Sequence, residues 1–321
     1  MQKSFSTLEY ESKKKQTRRD KFLGELDRLV PWKELEKVIA PYYSKGEGPG
    51  RPPIGLSRML KMLVVQNSFG FSDEGMEDAI YDSQAIRRFV GIDMSRESAP
   101  DATTILTFRH LLEGHKLTKA IFDKINEHLG AKGLLLREGT IVDASLVAAP
   151  PSTKNKDKAR DSEMHQSKKG NQWYFGMKAH IGVDMESGLV HTVVATAGNV
   201  SDVAQAHTLL HGDEKHVLGD AGYTGIEKRE ENIDKADVQW HIAVKPSKIK
   251  KIADETVRGA LEKLERAKAS IRSKVEHPFH VVKNLFKYRK TRYKGIAKNE
   301  AQLFMLFGLS NLVLARRRLP A

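Results

Sequence analysis

Three carboxylates stand out because each lies in a setting suited to binding a divalent cation. Asp143 interrupts the apolar run 139–147, Asp220 directly follows a short apolar segment, and Glu276 lies in a stretch rich in lysine and arginine. An ionised carboxylate inside an apolar strand costs free energy unless it is paired or bound to a metal. Carboxylate oxygens are also the ligands that hard divalent cations prefer. The sequence therefore predicts a metal-dependent enzyme, and the basic character of the rest of the chain indicates nucleic acid as its substrate.

Two basic residues accompany Glu276 at helical spacing. Steps of four and seven residues place Arg272, Glu276 and Lys283 within about 40° of one another on a helical projection. Such a face suits phosphoryl transfer, in which two cations about 4 Å apart act on the phosphate while arginine and lysine hold its oxygens. Pro278 opposes this projection, because proline kinks or breaks a continuous helix.

The composition agrees with a polyanionic partner. The 321 residues carry a formal net charge of +13 and no cysteine. The charge attracts nucleic acid, although an anionic membrane surface or an RNA-rich assembly would also suit it. The absence of cysteine excludes disulfides, thiolate catalysis and cysteine-type zinc sites. The first fifteen residues lack the apolar core of a secretory signal, and the apolar segment 303–314 is too short to span a bilayer. We expect a cytoplasmic, nucleoid-associated protein with no membrane partner.

The first 137 residues have apolar groups at helical spacing. Asp73, Asp82, Ser83 and Asp101 stand where helix caps are expected. Short helices joined by tight turns are compatible with a helix-turn-helix DNA reader, although most short helical domains do not read DNA. Residues 1–137 are therefore predicted to form a helical DNA-binding domain. Its predicted helices cover residues 20–30, 32–43, 54–67, 72–82, 84–90 and 101–112.

From residue 138 to residue 321 the pattern indicates a second, α/β domain. The apolar period changes from 3.6 to 2, which is typical of strands. The predicted strands and helices, in chain order, are β 139–148, β 174–184, β 188–198, α 202–211, β 217–219, α 225–234, β 238–244 and α 256–286. This order matches the ribonuclease-H-like fold, a mixed sheet covered by helices. In that fold Asp143 and Asp220 come together, because they lie on neighbouring central strands.

A lysine-rich segment, residues 150–170, separates the first two strands. Its composition is typical of a solvated, flexible loop. Because it flanks the acidic residues, we also interpret it as an arm that contacts DNA phosphates through Lys154 and Lys156.

The second strand carries two further candidates for contact with DNA. Trp173 at its start is typical of a core or edge aromatic, but it could instead stack on an unpaired base. Lys178 and His180 alternate with apolar residues, so we expect them on the less buried face of the strand. We therefore assign Lys178 to DNA contact.

Each carboxylate alone also has a purely structural interpretation. Asp143 could be satisfied by backbone donors, Asp220 could be a turn residue, and Glu276 could pair with Arg272 four residues away. With the acids merely structural, the chain would be a non-catalytic DNA-binding protein.

Three histidines leave a third function open. His207 and His211 have the spacing of a helical zinc pair, and His216 is close by, which would make the chain a zinc hydrolase. No acid lies between the pair and no third ligand is obvious, so the zinc hypothesis is the weakest of the three.

The residues around the acids resemble a known signature. The order Arg272, Glu276 and Lys283 is similar to the arginine-glutamate-lysine core of bacterial insertion-sequence transposases with a DDE triad. Ala269 departs from that signature, which has a tyrosine at this position. The resemblance covers nearly the whole chain, and its strings are those of the insertion sequence five family. The matching strings are residues 141–145, 176–184, 219–223 and 275–279.

The resemblance implies a ribonuclease-H-like catalytic domain that moves the element encoding the protein. In this family the acids corresponding to Asp143, Asp220 and Glu276 bind two Mg²⁺ ions, which Mn²⁺ can replace, and Arg272 and Lys283 contact DNA near the cut. Water attacks at the end of the element, and the freed 3′-hydroxyl attacks target DNA. The implied partners are double-stranded DNA, both terminal inverted repeats and target, and a second copy of the chain in the synaptic complex.

Overall fold

The computed structural model describes residues 10, 12–46, 52–136, 138–156, 158–232, 235, 237–316 and 318. The first nine residues, most of the loop predicted at 46–53 and the end of the helix predicted at 225–234 lie outside this part of the chain. By their contacts, the described residues divide into two compact units. The first extends to Ile125 and includes Arg316 and Arg318, and the second extends from Asn126 to Ala315.

The first unit is helical, as predicted. Most helices begin at a residue whose side chain caps the first turn. Thr17 forms a reciprocal capping box with Asp20, and the carboxylate of Asp101 accepts from Thr104 N at 2.7 Å. Ser72 rather than Asp73 caps its helix. The boundary between the units falls after Ile125, inside the helix Leu117–Ala131. The sequence had predicted neither this helix nor a boundary at this position. The helices are α1 Arg18–Leu29, α2 Trp32–Ile39, α3 Leu56–Phe69, α4 Asp73–Asp82, α5 Gln84–Val90, α6 Ala102–Gly114 and α7 Leu117–Ala131.

The second unit is built on a mixed six-stranded sheet. β1 pairs antiparallel with β3 and parallel with β5, β5 pairs parallel with β6, and both β2 and β4 pair antiparallel with β3. The helical first region and this mixed sheet confirm the predicted fold class. The strands are β1 Gly139–Ala148, β2 His165–Lys169, β3 Gln172–Asp184, β4 Val190–Ala197, β5 His216–Gly219 and β6 Gln239–Ile242.

The helices of the second unit differ from the prediction in two places. The described part of 225–234 holds only single 3₁₀ turns, because Gly225 has φ 90° and starts a turn rather than an α-helix. The helix predicted at 256–286 is interrupted by a 3₁₀ turn at Ser273–Val275 and a π-helical turn at Val281–Leu285. The α-helices are α8 Asp202–Gln205, α9 Pro246–Ile249, α10 Glu255–Arg272, α11 Glu276–His280 and α12 Ile296–Ala315.

Pro278 accounts for the interruption after α10. Proline has no N–H to donate and its ring clashes with the preceding helical turn, but it is tolerated in the first turn of a new helix. Pro278 is the third residue of α11, so a new helix starts at Glu276. Glu276 is therefore the first residue of a new helical segment.

The long helix α12 is fixed to the sheet by a buried asparagine. Asn311 Oδ1 accepts from Val190 N at 2.8 Å, and its amide nitrogen donates to Val190 O at 2.7 Å. This pair of bonds completes the hydrogen bonding of one residue of β4. α12 extends the buried apolar helix predicted at 303–314. Among the described residues, no helix is long and apolar enough to cross a membrane.

Gly176 is the described glycine that leaves the least room for a side chain. It lies opposite Ala148 in the β1–β3 pair, and a Cβ there would come 2.1 Å from Val147 O. Gly176→Ala is therefore expected to push β1 away from β3 and to lower the free energy of unfolding by at least about 2 kcal/mol. Urea denaturation followed by circular dichroism measures this.

The matched control for that variant is Gly259→Ala. A Cβ at Gly259, inside α10, meets nothing within 4 Å. Alanine is a better helix former than glycine, so the free energy of unfolding of this variant should rise by about 0.5 to 1 kcal/mol. A Gly176→Ala protein as stable as wild type would contradict the strand pairing described above.

Candidate active site

The parallel pairing of β1 with β5 brings two of the acids together. Thr140 lies opposite Val217 and Ile141 opposite Leu218. The same register, continued by two residues, sets Asp143 beside Asp220, on strands that are about 4.8 Å apart. The prediction that these acids lie on neighbouring strands is confirmed.

Asp220 has a defined local role at the end of β5. It caps the 3₁₀ turn Ala221–Tyr223, and its Oδ1 accepts from Gly222 N at 2.8 Å. A Cβ on Gly222 would come 2.9 Å from that oxygen, so glycine leaves the carboxylate room to turn into the cap. The predicted turn interpretation of Asp220 and its position beside Asp143 are therefore compatible.

Glu276 joins the pair from the helical side. It is the first residue of α11. The 3₁₀ turn Ser273–Val275 separates it from Arg272, the last residue of α10. Asp143, Asp220, Arg272 and Glu276 line one cleft of about 520 Å³. Other charged residues that line this cleft are Lys168, Lys169, Lys178 and Asp202.

Asp143 is a buried acid of the cleft whose pKa is raised by its surroundings. Its burial, aided by the negative charges of Asp220, Glu276 and Asp202, raises the pKa of its carboxyl to about 7. A hydrogen bond from Ala144 N, 2.7 Å to Oδ1, works in the opposite direction.

The donor set of the cleft fits a hard divalent cation. It consists of carboxylate oxygens, and the like charges that act on Asp143 are those a dication would neutralise. As the side chains of the described residues are placed, no three acids or histidines are grouped closely enough to hold a metal. The acids therefore fit a divalent cation by their chemistry and by their common location in the cleft.

Lys283 lies against β1 and not in the open cleft. Its ammonium donates to Ser145 Oγ at 2.6 Å and to Leu146 O at 2.7 Å. Burial, followed by the charge of Lys169, lowers the pKa of this lysine. The backbone from Arg272 to Lys283 stays helical but changes helix type twice, and the charges of Glu276 and Asp143 act on Lys283, so a common face for Arg272, Glu276 and Lys283 stays a prediction. Lys283 also holds in place the strand that carries Asp143.

The face predicted for Lys178 and His180 needs correction. His180 is fully buried, with Nε2 2.8 Å from Thr196 Oγ1, because the start of α8 and the 3₁₀ turn Ala206–Leu209 lie against this face of β3. Lys178 lines the cleft, but its ammonium is engaged by Val200 O at 2.7 Å and Asp202 Oδ1 at 2.9 Å.

Trp173 belongs to the surface and not to the core. It is 64% exposed, at the start of β3, and Lys168 Nζ lies 6.0 Å from its ring centroid. An aromatic ring this exposed next to a lysine is available for stacking.

The lysine-rich arm is more ordered than its composition suggests. Asp161 Oδ2 accepts from Gly295 N at 2.7 Å and Glu163 Oε2 accepts from Ile296 N at 2.8 Å, so two acids tie the arm to the start of α12. Its last residues form β2, which pairs with β3.

This arrangement changes which lysines of the arm reach the cleft. Lys168 and Lys169 on β2 line it, whereas Lys154 and Lys156 are exposed outside it. Lys156 instead lines a second cavity of about 320 Å³ together with Arg160 and Tyr293.

Sequence reasoning missed Asp202, the fourth acid of the cleft. Asp202 lies at the start of a predicted helix. Acids are common at that position because their negative charge interacts favourably with the helix dipole, so Asp202 gave no indication of a role in the cleft. Only the proximity of α8 to β3 places it beside Lys178.

The histidines do not assemble as a zinc site would require. His207 lies in a 3₁₀ segment, His211 is 3.5 Å from Glu214, and His216 Nδ1 is 3.2 Å from His241 Nε2. Within the described chain they belong to no group of three potential ligands.

Two family models match the sequence. The model described as "Transposase DDE domain" matches residues 135–312, more than half of the chain and the whole of the cleft. The model described as "Transposase domain (DUF772)" matches residues 10–111, within the helical unit.

Proposed function

This chain belongs to the family of DDE transposases, and on that premise we propose that Asp143, Asp220 and Glu276 together bind its catalytic cations. The family confirms the prediction of an enzyme of DNA transposition, which cleaves DNA and transfers strands. DNA is therefore its substrate, and divalent metal ions are the usual cofactors of the family. Membership in the insertion sequence five group stays a prediction from the sequence strings.

One observation carries the assignment of the acids. The register of β1 with β5 sets Asp143 beside Asp220, and Glu276, the first residue of α11, lines the same cleft. We assign the site to two Mg²⁺ ions, with Mn²⁺ as a substitute, because all its donors are hard oxygens. Such ions, when bound, promote attack by water and stabilise the leaving oxygen of an in-line displacement.

The residues of the cleft support both steps of the reaction. In cleavage, a bond forms between water oxygen and phosphorus while the bond from phosphorus to the 3′ oxygen breaks. In strand transfer the freed 3′-hydroxyl forms a bond to a phosphorus of target DNA while the bond from that phosphorus to the target 3′ oxygen breaks, leaving a 3′-hydroxyl on the target strand. The geometry of the displacement is the same, so one site serves both steps. Arg272, at the rim, can hold a phosphate adjacent to the reacting one through two parallel hydrogen bonds.

The remaining basic and aromatic residues divide into two groups. Lys283 acts on the reaction through β1, which it holds in place. Trp173 is proposed to stack on an unpaired base, and Lys154 and Lys156 to contact phosphates farther along the DNA.

We assign recognition of the terminal inverted repeats to the helical domain, residues 1–137, and catalysis to residues 138–321. Joining two ends in one synaptic complex requires at least two protomers, so we propose a homodimer on DNA, associated with the nucleoid. Measuring the mass of the protein bound to end DNA tests this. A complex that is active as a strict monomer would refute the dimer.

The proposed function is tested by cleavage of DNA that carries the element's own ends. We expect cleavage with Mg²⁺, none with EDTA, and none in Asp143→Ala, Asp220→Ala or Glu276→Ala protein. The matched control is Asp213→Asn, an exposed acid of the same unit that does not line the cleft. Full activity in any of the three alanine variants would remove that residue from the site.

Arg272→Ala is expected to weaken binding of end DNA by about tenfold. A hydrogen-bonded contact between arginine and phosphate contributes about 1.5 kcal/mol or more, which corresponds to that factor. Fluorescence anisotropy at several salt concentrations measures it, and the salt dependence of Kd should also become weaker. The control is Arg266→Ala, an exposed arginine on α10 that does not line the cleft. Equal losses in the two variants would mean that Arg272 contributes only general charge.

A further inference from the structure

Asp202 is an acid of the catalytic cleft that the three-carboxylate assignment leaves without a role. We propose that Asp202 is a positioning residue, which holds the ammonium of Lys178 in the cleft for contact with a phosphate oxygen of the bound DNA. The inference rests on the proposed function, because it concerns the same cleft.

The contacts of Lys178 support this role. The side chain is 14% exposed, and its Nζ lies 2.9 Å from Asp202 Oδ1 and 2.7 Å from Val200 O. A lysine ammonium has three N–H donors, and these contacts use two of them. The third donor remains for a phosphate oxygen that enters the cleft. Lys178 lies opposite Leu146 on β1, the strand of Asp143, so the ammonium is held on the strand next to the reacting site.

Asp202 is suited to hold a lysine and poorly suited to join the metal ligands. Its Oδ1 is already paired with the ammonium of Lys178, and that positive charge opposes a dication at the same oxygen. Its carboxylate is about a third exposed, whereas Asp143 is buried deeper in the cleft.

The buried imidazole of His180 is the other group beside Asp202. Its Nε2 lies 2.8 Å from Thr196 Oγ1, and its Nδ1, which has no hydrogen-bond partner in the described chain, lies 3.9 Å from Asp202 Oδ1. Burial lowers the pKa of His180, so the imidazole is neutral near pH 7. Lys178 is therefore the cation that pairs with Asp202.

Removing Asp202 should therefore affect the rate and not the affinity for DNA. Lys178 would still carry its charge, but its ammonium would no longer be held in position beside the reacting phosphate. We expect Asp202→Ala to slow single-turnover cleavage by about tenfold, the loss of one charge-assisted contact, while Kd for end DNA changes by less than about twofold. Asp202→Asn keeps an oxygen that accepts from Lys178, so it should recover about half of the loss on a logarithmic scale.

The decisive experiment combines Asp202 and Lys178 in a double-mutant cycle. Single-turnover cleavage, Kd and the Mg²⁺ concentration at half-maximal rate are measured for Asp202→Ala, Lys178→Met and the double variant. If Asp202 acts through Lys178, the double variant is no slower than Lys178→Met alone, and the Mg²⁺ requirement of all three stays within about twofold of wild type. A purely structural role would not produce this coupling.

Three results would overturn the proposal. They are a wild-type rate in Asp202→Ala, losses that multiply in the double variant, and an Mg²⁺ requirement raised about tenfold in Asp202→Ala alone, which would make Asp202 a metal ligand. If Asp202→Ala fails to fold, the same cycle with Asp202→Asn decides. Asp143→Ala runs in parallel, because its full activity would refute the proposed function whatever the cycle between Asp202 and Lys178 shows.

Discussion

Asp143→Asn is expected to reduce DNA cleavage and strand transfer by at least about 10³-fold each. The amide has the size of the carboxylate but no charge, so the cleft loses a metal ligand while its shape stays the same. Stabilisation of the transition state by bound cations amounts to several kcal/mol, and each 1.36 kcal/mol is a factor of ten in rate. Both steps should fail together, because they use one site.

The two steps are measured separately in single-turnover assays. An intact end reports cleavage, and a pre-cleaved end with a free 3′-hydroxyl reports strand transfer. Asp213→Asn makes the same chemical change at an exposed position outside the cleft and should behave as wild type. Loss of cleavage with intact strand transfer would contradict the single-site mechanism.

The second large effect concerns the stability of the metal-free protein as a function of pH. The pKa of Asp143 is about 7 in the folded chain, against 3.8 for an unperturbed aspartate. Between these values the folded state binds a proton that the unfolded state has lost, so the free energy of unfolding decreases as pH rises. The contribution is fully present below about pH 4 and is lost by about pH 7 to 8. Its size is about 4 kcal/mol, since each pKa unit corresponds to 1.36 kcal/mol.

Comparison with Asp143→Asn isolates this contribution. Asparagine does not titrate. The free energy of unfolding of the variant, relative to that of the wild type, should therefore increase by about 4 kcal/mol from pH 4 to pH 8 in the presence of EDTA. Urea denaturation at several pH values measures the difference. Added Mg²⁺ should stabilise the wild type at pH 8 and leave the variant unchanged. If the free energy of unfolding depended on pH in the same way in both proteins, burial would not raise the pKa of Asp143.

Much of the catalytic unit was predictable because its strands have a simple pattern. β1, β3 and β4 alternate or concentrate apolar residues with period 2, and the structure has them within a few residues of the predicted bounds. An acid in the middle of such a strand is conspicuous, which is why Asp143 was found without any homologue. The parallel neighbour β5 is only four residues long, but the glycine-rich stretch after it marked Asp220.

Other features failed for identifiable reasons. Residues 225–234 have helical composition, but Gly225 in the left-handed region starts a turn, and local backbone geometry overrode the pattern. His180 was assigned to the less buried face because alternation along a strand does not reveal what covers each face, and here α8 and the 3₁₀ turn that follows it bury the imidazole. The strand β2 is almost entirely polar, so it gave no periodic signal and depends on its pairing with β3.

The sequence by itself determined the basic charge and the helical and α/β regions, and it singled out the three acids that we propose as metal ligands, because these features depend on composition and on short-range periodicity. Only the tertiary structure decided which other groups share the cleft. Asp202 reaches Lys178 and Lys283 reaches β1 through contacts between residues far apart in the chain, and Lys168 and Lys169 replace Lys154 and Lys156 at the cleft because β2 pairs with β3. Such contacts follow from how strands and helices pack, and no local pattern in the sequence encodes them.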